Sequence, residues 1–216
     1  MKIVQILTPN FSDISASNKF GLKSGEKITF IQILIGKIES DFQFFASLPE
    51  GAKLNVQAAI IARDSCKFKY NYHVEHFGVN SESNFNLISS LSGNSQKETE
   101  MLIHFNRGAI GAVGVEKESV ILSDRAKNVS YPIINSDEEK INGSHSLSSG
   151  HIDTLQLQYL RTRGLSETEA RNMITRAKIL SILNLIDDDD KLKYIQEALN
   201  EQRWFSAIEK RRNLSR

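Results

Sequence analysis

The chain of 216 residues has little of what usually marks a secreted or membrane protein. It has one cysteine, Cys66, so no disulfide can form within the chain, and a reducing cytoplasm fits that usage. No stretch approaches the roughly 18 apolar residues that a membrane-spanning helix needs. The apolar run in the opening residues, MKIVQILTP, is too short and too interrupted for a signal peptide. These absences predict a cytoplasmic location.

Charge of one sign is not in excess either. The formal net charge is +1, so no global charge argues for a nucleic-acid partner or for an anionic membrane surface. Apolar residues make up 40% of the chain. At this length and composition the chain can bury a core of its own, as one domain or as two small ones.

The signature motifs of common enzymes are missing too. The glycine-rich GAIGAVG of residues 108–114 lacks the Lys-Ser/Thr ending of a P-loop and the GxGxxG spacing of a dinucleotide site. No nucleophile elbow, paired acid–base motif or zinc-ligand spacing is present. We therefore predict that the chain is not an enzyme.

What the sequence does have is a series of short segments with apolar side chains two residues apart, which is the period of a β-strand. The segments begin at Gly25, Glu39, Gly51, Ser65 and Glu82, and similar runs begin at Met101, Ser119 and Ser130. Many short strands separated by Gly, Asn, Ser and Asp turns are typical of a sandwich, a barrel or a β-solenoid. The repeated strand-turn unit favours the β-solenoid, in which each coil covers the last. An antiparallel sandwich is the alternative.

Towards the C-terminus the apolar period becomes that of helices. Asp153 is placed to cap a first helix over residues 154–163, and Gly164 suits the left-handed position that ends it. The four residues SETE from Ser166 form a capping box that opens a second helix, which we expect to end near Ile186. Its predicted buried positions are Met173, Ile174, Ala177, Leu180 and Leu183.

A third helix is predicted from the acidic run at 187–190 to about Arg212. Carboxylates at that place satisfy free backbone N–H groups, which we favour over a hard-cation site. Its predicted stripe is Leu192, Ile195, Leu199, Phe205 and Ile208. The chain is thus predicted to be mostly β with an α-helical C-terminal part. We expect an N-terminal arm (1–24), a β-solenoid core (25–150) and a helical domain (151–216).

Few side chains suggest metal chemistry. His73 and His76 lie three residues apart in a predicted strand, where they would point to opposite faces and share no ion. Cys66 is flanked by lysines that favour the thiolate, and the alternative is a small buried side chain; one cysteine cannot build a self-contained iron–sulfur site. His145 lies in a Ser/Gly-rich turn, which leaves metal ligand, proton shuttle and turn residue as open roles.

The stretch from residue 120 to residue 170 carries short motifs in a fixed order. They are Ser144-His145, then Gly150, Ile152 and Asp153, then YLRTRG over 159–164, then Glu169-Ala170. In that order and spacing they resemble the SufB/SufD family, the core scaffold of the SUF iron–sulfur cluster assembly system, and the SufD branch more closely. The preceding FNRGAIGAVGV is similar to a strand of that family.

The resemblance implies a right-handed parallel β-helix followed by a small helical domain. It implies a SufC-type ABC ATPase that docks on the helices, and a homodimer or heterodimer of SufBD subunits that pair through the β-helix. A transient iron–sulfur cluster would lie at that subunit interface, with His145 as a ligand or relay. Cys66 is a tentative ligand because of its neighbouring lysines, not because of the resemblance. The implied partner-binding residues are Leu155, Tyr159, Leu160, Arg163, Gly164 and Ala170.

The chain departs from the family pattern in two ways. The family cysteine two residues before the histidine is Gly143 here, and the chain is shorter than is usual. These departures motivate one alternative, a structural β-solenoid interaction module without a cluster role. A second alternative is a β-solenoid enzyme acting on a polymer such as a polysaccharide. Its charged strand residues would be Asp64, Lys67, Lys69 and Glu75.

Overall fold

The computed structural model describes residues 1–7, 16–36 and 40–201, which form eleven β-strands followed by three α-helices. The strands are β1 (Lys2–Leu7), β2 (Ala16–Gly21), β3 (Lys27–Gly36), β4 (Ser40–Leu48), β5 (Lys53–Ala62), β6 (Lys67–His76), β7 (Glu82–Leu91), β8 (Gln96–Phe105), β9 (Val113–Leu122), β10 (Lys127–Ser136) and β11 (Asn142–His151). The helices are α1 (Thr154–Thr162), α2 (Glu167–Leu183) and α3 (Asp189–Glu201). The chain divides into two compact units, residues 1–149 and 150–216.

The strands form two sheets, each made of parallel strands, and the chain alternates between the two sheets. Sheet A has the order β1-β3-β5-β7-β9-β11, and sheet B has the order β10-β8-β6-β4-β2. Each coil therefore contributes one strand to each sheet, and successive coils advance by about 26 to 31 residues, from Lys27 to Lys53, Glu82 and Val113. The parallel pairing confirms the predicted β-solenoid and excludes the antiparallel sandwich. Each predicted strand-turn unit is half a coil.

The space between the sheets is filled by every second side chain. In β5 the inward side chains are Leu54, Val56, Ala58 and Ile60, all part of the main hydrophobic cluster. Aromatic rings continue the packing from coil to coil, because parallel strands in register place equivalent positions next to one another. The ring of Tyr72 on β6 stacks on its register neighbour Phe44 at 5.1 Å between centroids. Across the interior it also stacks on Phe85 of β7 at 4.1 Å.

One corner of the solenoid brings two backbone segments into close approach. A Cβ atom added at Gly78 would overlap the backbone of Pro49 and Glu50. Phe77 and Gly78 both donate their N–H groups to the carbonyl of Leu48, which holds the segments at that distance. Only glycine fits at this corner, because the neighbouring backbone leaves no room for a Cβ atom.

Two strands lie where the sequence predicts none. β2 lies in the predicted arm and pairs with β4 over six residues, from Ala16↔Phe42 to Gly21↔Ser47. β11 contains His145, so the prediction of a turn at that residue is wrong. Composition misleads here because the side chains of β11 are mostly exposed and show no apolar alternation. Pairing with β9, not burial of its own side chains, determines the conformation of β11.

The starts of α1 and α2 and the end of α1 follow the predicted caps, whereas α2 ends at Leu183 and not near Ile186. The Asp153 carboxylate accepts from Leu155 N–H at 2.6 Å. Gly164 has φ +89°, in the left-handed region that favours glycine. In the capping box, Ser166 Oγ accepts from Glu169 N–H at 3.3 Å, and the Glu169 carboxylate accepts from Ser166 N–H at 2.8 Å.

The buried face of α2 differs from the predicted one. Its buried residues are Ala170, Thr175, Ile179, Ile182 and Leu183, and of the predicted positions Leu183 alone is buried while Met173 is exposed. Apolar residues occur on several sides of this helix, so periodicity selects more than one face. In α3 Ile195 and Leu199 are buried as predicted. The predicted continuation to residue 212, with Phe205 and Ile208, lies outside the described residues.

In the described ranges we find no helix that is both long and apolar enough to cross a membrane.

Candidate functional site

The solenoid ends in two edge strands. Within the described ranges β11 is the last strand of sheet A and β10 the last strand of sheet B. Their side chains are mostly exposed or half-exposed, whereas alternate side chains of β8 and β9 are buried. The inner face of the last coil is therefore accessible, and we call β10 and β11 together the open end.

The register of β11 places His145 beside Glu116. In the neighbouring pairs of sheet A, the first N–H of a strand donates to the carbonyl of the residue before its partner. Asn142 N–H donates to Ala112 O at 2.9 Å. Asn142 is therefore paired with Val113 and, three residues on, His145 with Glu116. Adjacent parallel strands lie about 4.8 Å apart.

Both side chains lie on the inward face of sheet A. Glu116 is only 1% exposed. Gly143 shares a face with His145, and its Cβ position lies 3.1 Å from Ile134 and 3.2 Å from Phe105, two side chains of the interior. His145 nevertheless remains exposed, because β11 is the last described strand of its sheet.

The carboxyl group of Glu116 has unused hydrogen-bonding capacity. Both of its oxygens are buried and neither has a partner among the described residues. Burial, and then the neighbouring Glu118, raise the pKa of Glu116 to about 8. The hydroxyl of Tyr72 is also buried without a partner, and burial followed by Glu116 raises the pKa of Tyr72. Native interiors seldom leave such groups unsatisfied.

A buried ion pair lies close by. Lys97 and Glu118 form a salt bridge with both side chains fully buried, and Lys97 Nζ also donates to Thr99 Oγ1 at 2.8 Å. Burial lowers the pKa of Lys97, and Glu118 opposes that shift. Towards the open end, Asn128 Nδ2 donates to Ser130 Oγ at 3.0 Å. We call these inward side chains the polar interior: Lys97, Thr99, Glu116, Glu118, Asn128 and Ser130.

The polar interior was not predicted from the sequence, because it has charged and polar residues at inward strand positions where apolar residues are expected. In β8 and β9 the inward positions hold Lys, Thr and Glu, where equivalent positions of β6 are aromatic and those of β5 are apolar. The strands were therefore predicted to begin at Met101 and Ser119, although they begin at Gln96 and Val113. A signal was present in QKETEMLIHF, the sequence of β8. Every second residue of this segment faces inward, and these inward residues change from charged and polar to apolar without a break in the alternation.

Cys66 and His145 are not brought together. The Cys66 thiol is buried before β6, and its sulfur lies 2.8 Å from Arg63 O and 3.0 Å from Gly36 O, two acceptors for its single S–H. It lies three coils from β11, a separation of about 14 Å at 4.8 Å per strand. This placement matches that of a small buried side chain. A ligand role for Cys66 stays a prediction.

His73 and His76 lie on opposite faces of β6, as predicted: His73 is partly exposed and His76 is buried. His76 Nδ1 and Nε2 each lie 2.8 Å from a hydroxyl, of Ser81 and Ser83 respectively. The Ser81 hydroxyl donates to Gly78 O at 2.8 Å. Nδ1 therefore carries the proton and donates to Ser81, while Nε2 accepts from Ser83. Burial lowers the pKa of His76 to about 4, so this imidazole is neutral and both nitrogens are occupied.

Of the charged residues considered for a polymer-acting enzyme, Asp64 is exposed before β6, and Lys67 and Lys69 line an open cavity beside Glu98 and Lys127. Lys67, Lys69 and Glu75 alternate with the inward side chains of β6 and so lie on the outer face of sheet B. Lys69 lies 3.9 Å from Glu98 on the adjacent strand. This arrangement is usual for the solvated face of a sheet.

The predicted partner-binding residues differ in exposure. Leu155, Tyr159, Leu160, Arg163 and Gly164 are exposed or half-exposed, and Ala170 is buried. Leu155 and Tyr159, one turn apart on α1, are 74% and 60% exposed. The Arg163 guanidinium lies 5.2 Å from the centre of the Tyr159 ring. α1 thus carries an apolar and aromatic surface, while Ala170 serves packing of the helical unit.

One family match decides which group of proteins this chain belongs to. The model for the SUF system FeS cluster assembly, SufBD core domain, matches residues 16–178, which include β2, the open end with His145, and α1. The chain belongs to the SufBD family. The resemblance found in the sequence is thereby confirmed, and with it a connection to iron–sulfur cluster assembly.

Individual relatives are more distant. The SufBD chain is 24% identical over 137 residues to the iron–sulfur cluster assembly protein SufD of Bacillus subtilis, covering 62% of this chain and 31% of the relative. It is 29% identical over 110 residues to a SufBD family protein of Synechocystis, covering 50% and 23%. A SufBD family protein of Mycobacterium tuberculosis strain H37Rv is 29% identical over 102 residues, covering 47% and 12%. The chain spans less than a third of the length of these relatives.

Proposed function

We propose that this SufBD chain is a non-catalytic scaffold subunit that presents His145 to the iron of a nascent iron–sulfur cluster. The observation that carries this proposal is the position of His145 on the last strand of sheet A, exposed yet on the inward face. Imidazole nitrogen is a suitable iron ligand. The cluster is cargo here, built and passed on, and is held transiently.

A second SufBD subunit, either another copy or a related chain, would cover the open end. Unpaired edge strands offer N–H and C=O groups for pairing with another chain. Apolar side chains at this end are exposed as well, namely Val129, Tyr131 and Leu147. Pairing there would place His145 in a subunit interface and shield the bound iron from water.

The C-terminal helices would dock an ABC ATPase of the SufC type, and ATP hydrolysis would belong to that partner. Support comes from Leu155 and Tyr159, whose large apolar surfaces on α1 are exposed. Aromatic side chains of this kind commonly anchor protein interfaces. The preformed contact between Arg163 and Tyr159 limits the side-chain entropy that docking would remove.

The docking surface can be tested by anaerobic co-expression of the tagged full chain with a SufC-type ATPase. We expect the Leu155→Ala/Tyr159→Ala double variant to lose at least about tenfold of the co-purified ATPase, as for removal of interface anchors. Gln156→Ala, on the same helix and also exposed, serves as the matched control and should retain the ATPase. Equal recovery with the double variant would contradict the proposed dock.

A structural module without a cluster role is the second candidate, because Gly143 stands in place of the family cysteine. The two candidates differ in what His145→Ala does. A scaffold role predicts that iron and sulfide content falls in the purified complex while subunit assembly persists. A structural module predicts no change in either quantity.

A further inference from the structure

Packing does not explain the carboxyl group of Glu116. The side chain is 1% exposed, and neither oxygen has a hydrogen-bond partner among the described residues. Glu118, two residues on and facing the same way, has its charge balanced by Lys97. A buried carboxyl without such a partner destabilises a fold. A native interior seldom leaves such a group without a hydrogen-bond partner, which can be an ordered water, the Tyr72 hydroxyl or a bound ion.

The direction in which Glu116 can find a partner follows from the register. Its neighbour on β7 is Phe85, a fully buried hydrocarbon ring without a donor group. Tyr72 stacks on that ring and carries a buried hydroxyl near Glu116, but the two groups form no hydrogen bond in the structure. Its neighbour on β11 is His145, on the same inward face about 4.8 Å away, as for adjacent strands. One imidazole and one carboxylate on adjacent strands of one face can reach a common ion.

We propose that Glu116 and His145 together bind a ferrous ion at the open end, through a carboxylate oxygen and an imidazole nitrogen. Mixed nitrogen and oxygen ligands suit divalent iron. The inference rests on the proposed cluster role of His145 and adds a second ligand from this chain. The ion would also balance the charge of the buried carboxylate.

Two ligands fit a site that accepts and releases its metal. No group of three or more His, Cys, Asp or Glu side chains within the described ranges is placed to hold an ion. The remaining coordination positions are therefore open to sulfide, water or a second subunit. Gly143, on the inward face beside His145, supplies no ligand, so the carboxylate takes the place of a thiolate.

The test is an anaerobic titration of the full-length chain with Co²⁺, whose visible absorption reports its ligands, followed by competition with Fe²⁺. Wild type should bind one ion per chain. Glu116→Gln and His145→Ala should each weaken binding by at least about tenfold, the scale seen when metal-site groups are removed. His104→Ala is the matched control: it removes a partly exposed imidazole 3.1 Å from the Asp137 carboxylate, outside the polar interior, and should change nothing.

Circular dichroism and thermal unfolding establish that each variant is folded. Glu116→Asp, which is smaller than the native residue, should bind with intermediate affinity and provides a second variant should the amide disturb folding. Binding by folded Glu116→Gln that equals wild type, or no Co²⁺ binding by wild type, would overturn the inference. If that happens while the ATPase still co-purifies and His145→Ala lowers cluster content, the proposed function stands without it. If, in addition, the ATPase does not co-purify and His145→Ala leaves the cluster content unchanged, both the inference and the proposed function are contradicted.

Discussion

The imidazole of His76 is neutral at physiological pH because burial removes the solvation that its cation needs. Its two nitrogens are satisfied by Ser81 and Ser83, at 2.8 Å each. Protonation would put a charge in the interior and break the bond accepted by Nε2. The folded state therefore binds this proton less readily than the unfolded chain does.

This difference predicts how stability depends on pH. The pKa of His76 is about 4 in the folded state and 6.5 for an ordinary histidine, so stability should fall as the pH drops from 6.5 towards 4. The loss attributable to His76 should reach about 3 kcal/mol. Urea unfolding of wild type and His76→Gln at several pH values measures this loss. The difference between their free energies of unfolding should become smaller as the pH falls. A gap that is the same at neutral and acid pH would show that His76 does not titrate in this way.

The ion pair of Lys97 and Glu118 predicts an asymmetric mutational effect. Lys97→Met leaves a buried carboxylate unpaired and should lower the free energy of unfolding by about 3–5 kcal/mol. Lys97→Met/Glu118→Leu removes both charges and should recover most of that loss, because an apolar pair needs no desolvation of ions. Chemical denaturation of the two variants decides the matter. A single variant as stable as wild type would mean that the pair is not desolvated.

At the scale of elements, the corners determine how closely coils stack. Gly78→Ala places a methyl group against the backbone of Pro49 and Glu50, which cannot rotate away as a side chain would. We expect a loss of about 1–3 kcal/mol or more, the range for overpacking. Gly150→Ala is the control, since no atom lies within 4 Å of its Cβ position, and its effect should stay within about 0.5 kcal/mol. Thermal unfolding compares the two variants, and equal midpoint temperatures would refute the steric argument.

An element can be predicted from the sequence when its conformation depends on residues nearby in the chain, and not when it depends on distant neighbours. The starts of α1 and α2 were predicted because the caps at Asp153 and Ser166 depend on residues a few positions away. Strands β3 to β7 were predicted because their inward residues are mostly apolar, although β6 and β7 also bury His76, Ser83 and Ser89. β11 was missed, since its conformation depends on β9 and not on its own composition. The buried face of α2 was also missed, because it depends on which neighbours cover the helix.

At the scale of the whole molecule, the position of His145 beside Glu116 was beyond sequence reasoning. The two residues are 29 positions apart, and only the coil length and register make them neighbours. The His145 motif could be found as a resemblance because its residues are consecutive in the sequence. The polar interior behind it became visible only when the inward phase of every strand was known.

We propose that this SufBD chain serves iron–sulfur cluster assembly as a scaffold. The most direct measurement is anaerobic co-expression with the SufC-type ATPase of the same genome, affinity purification of this chain, and an absorption spectrum of the eluate. We predict that the ATPase co-elutes and that the eluate shows visible iron–sulfur absorption bands, which His145→Ala diminishes. A colourless eluate without the ATPase would contradict the account.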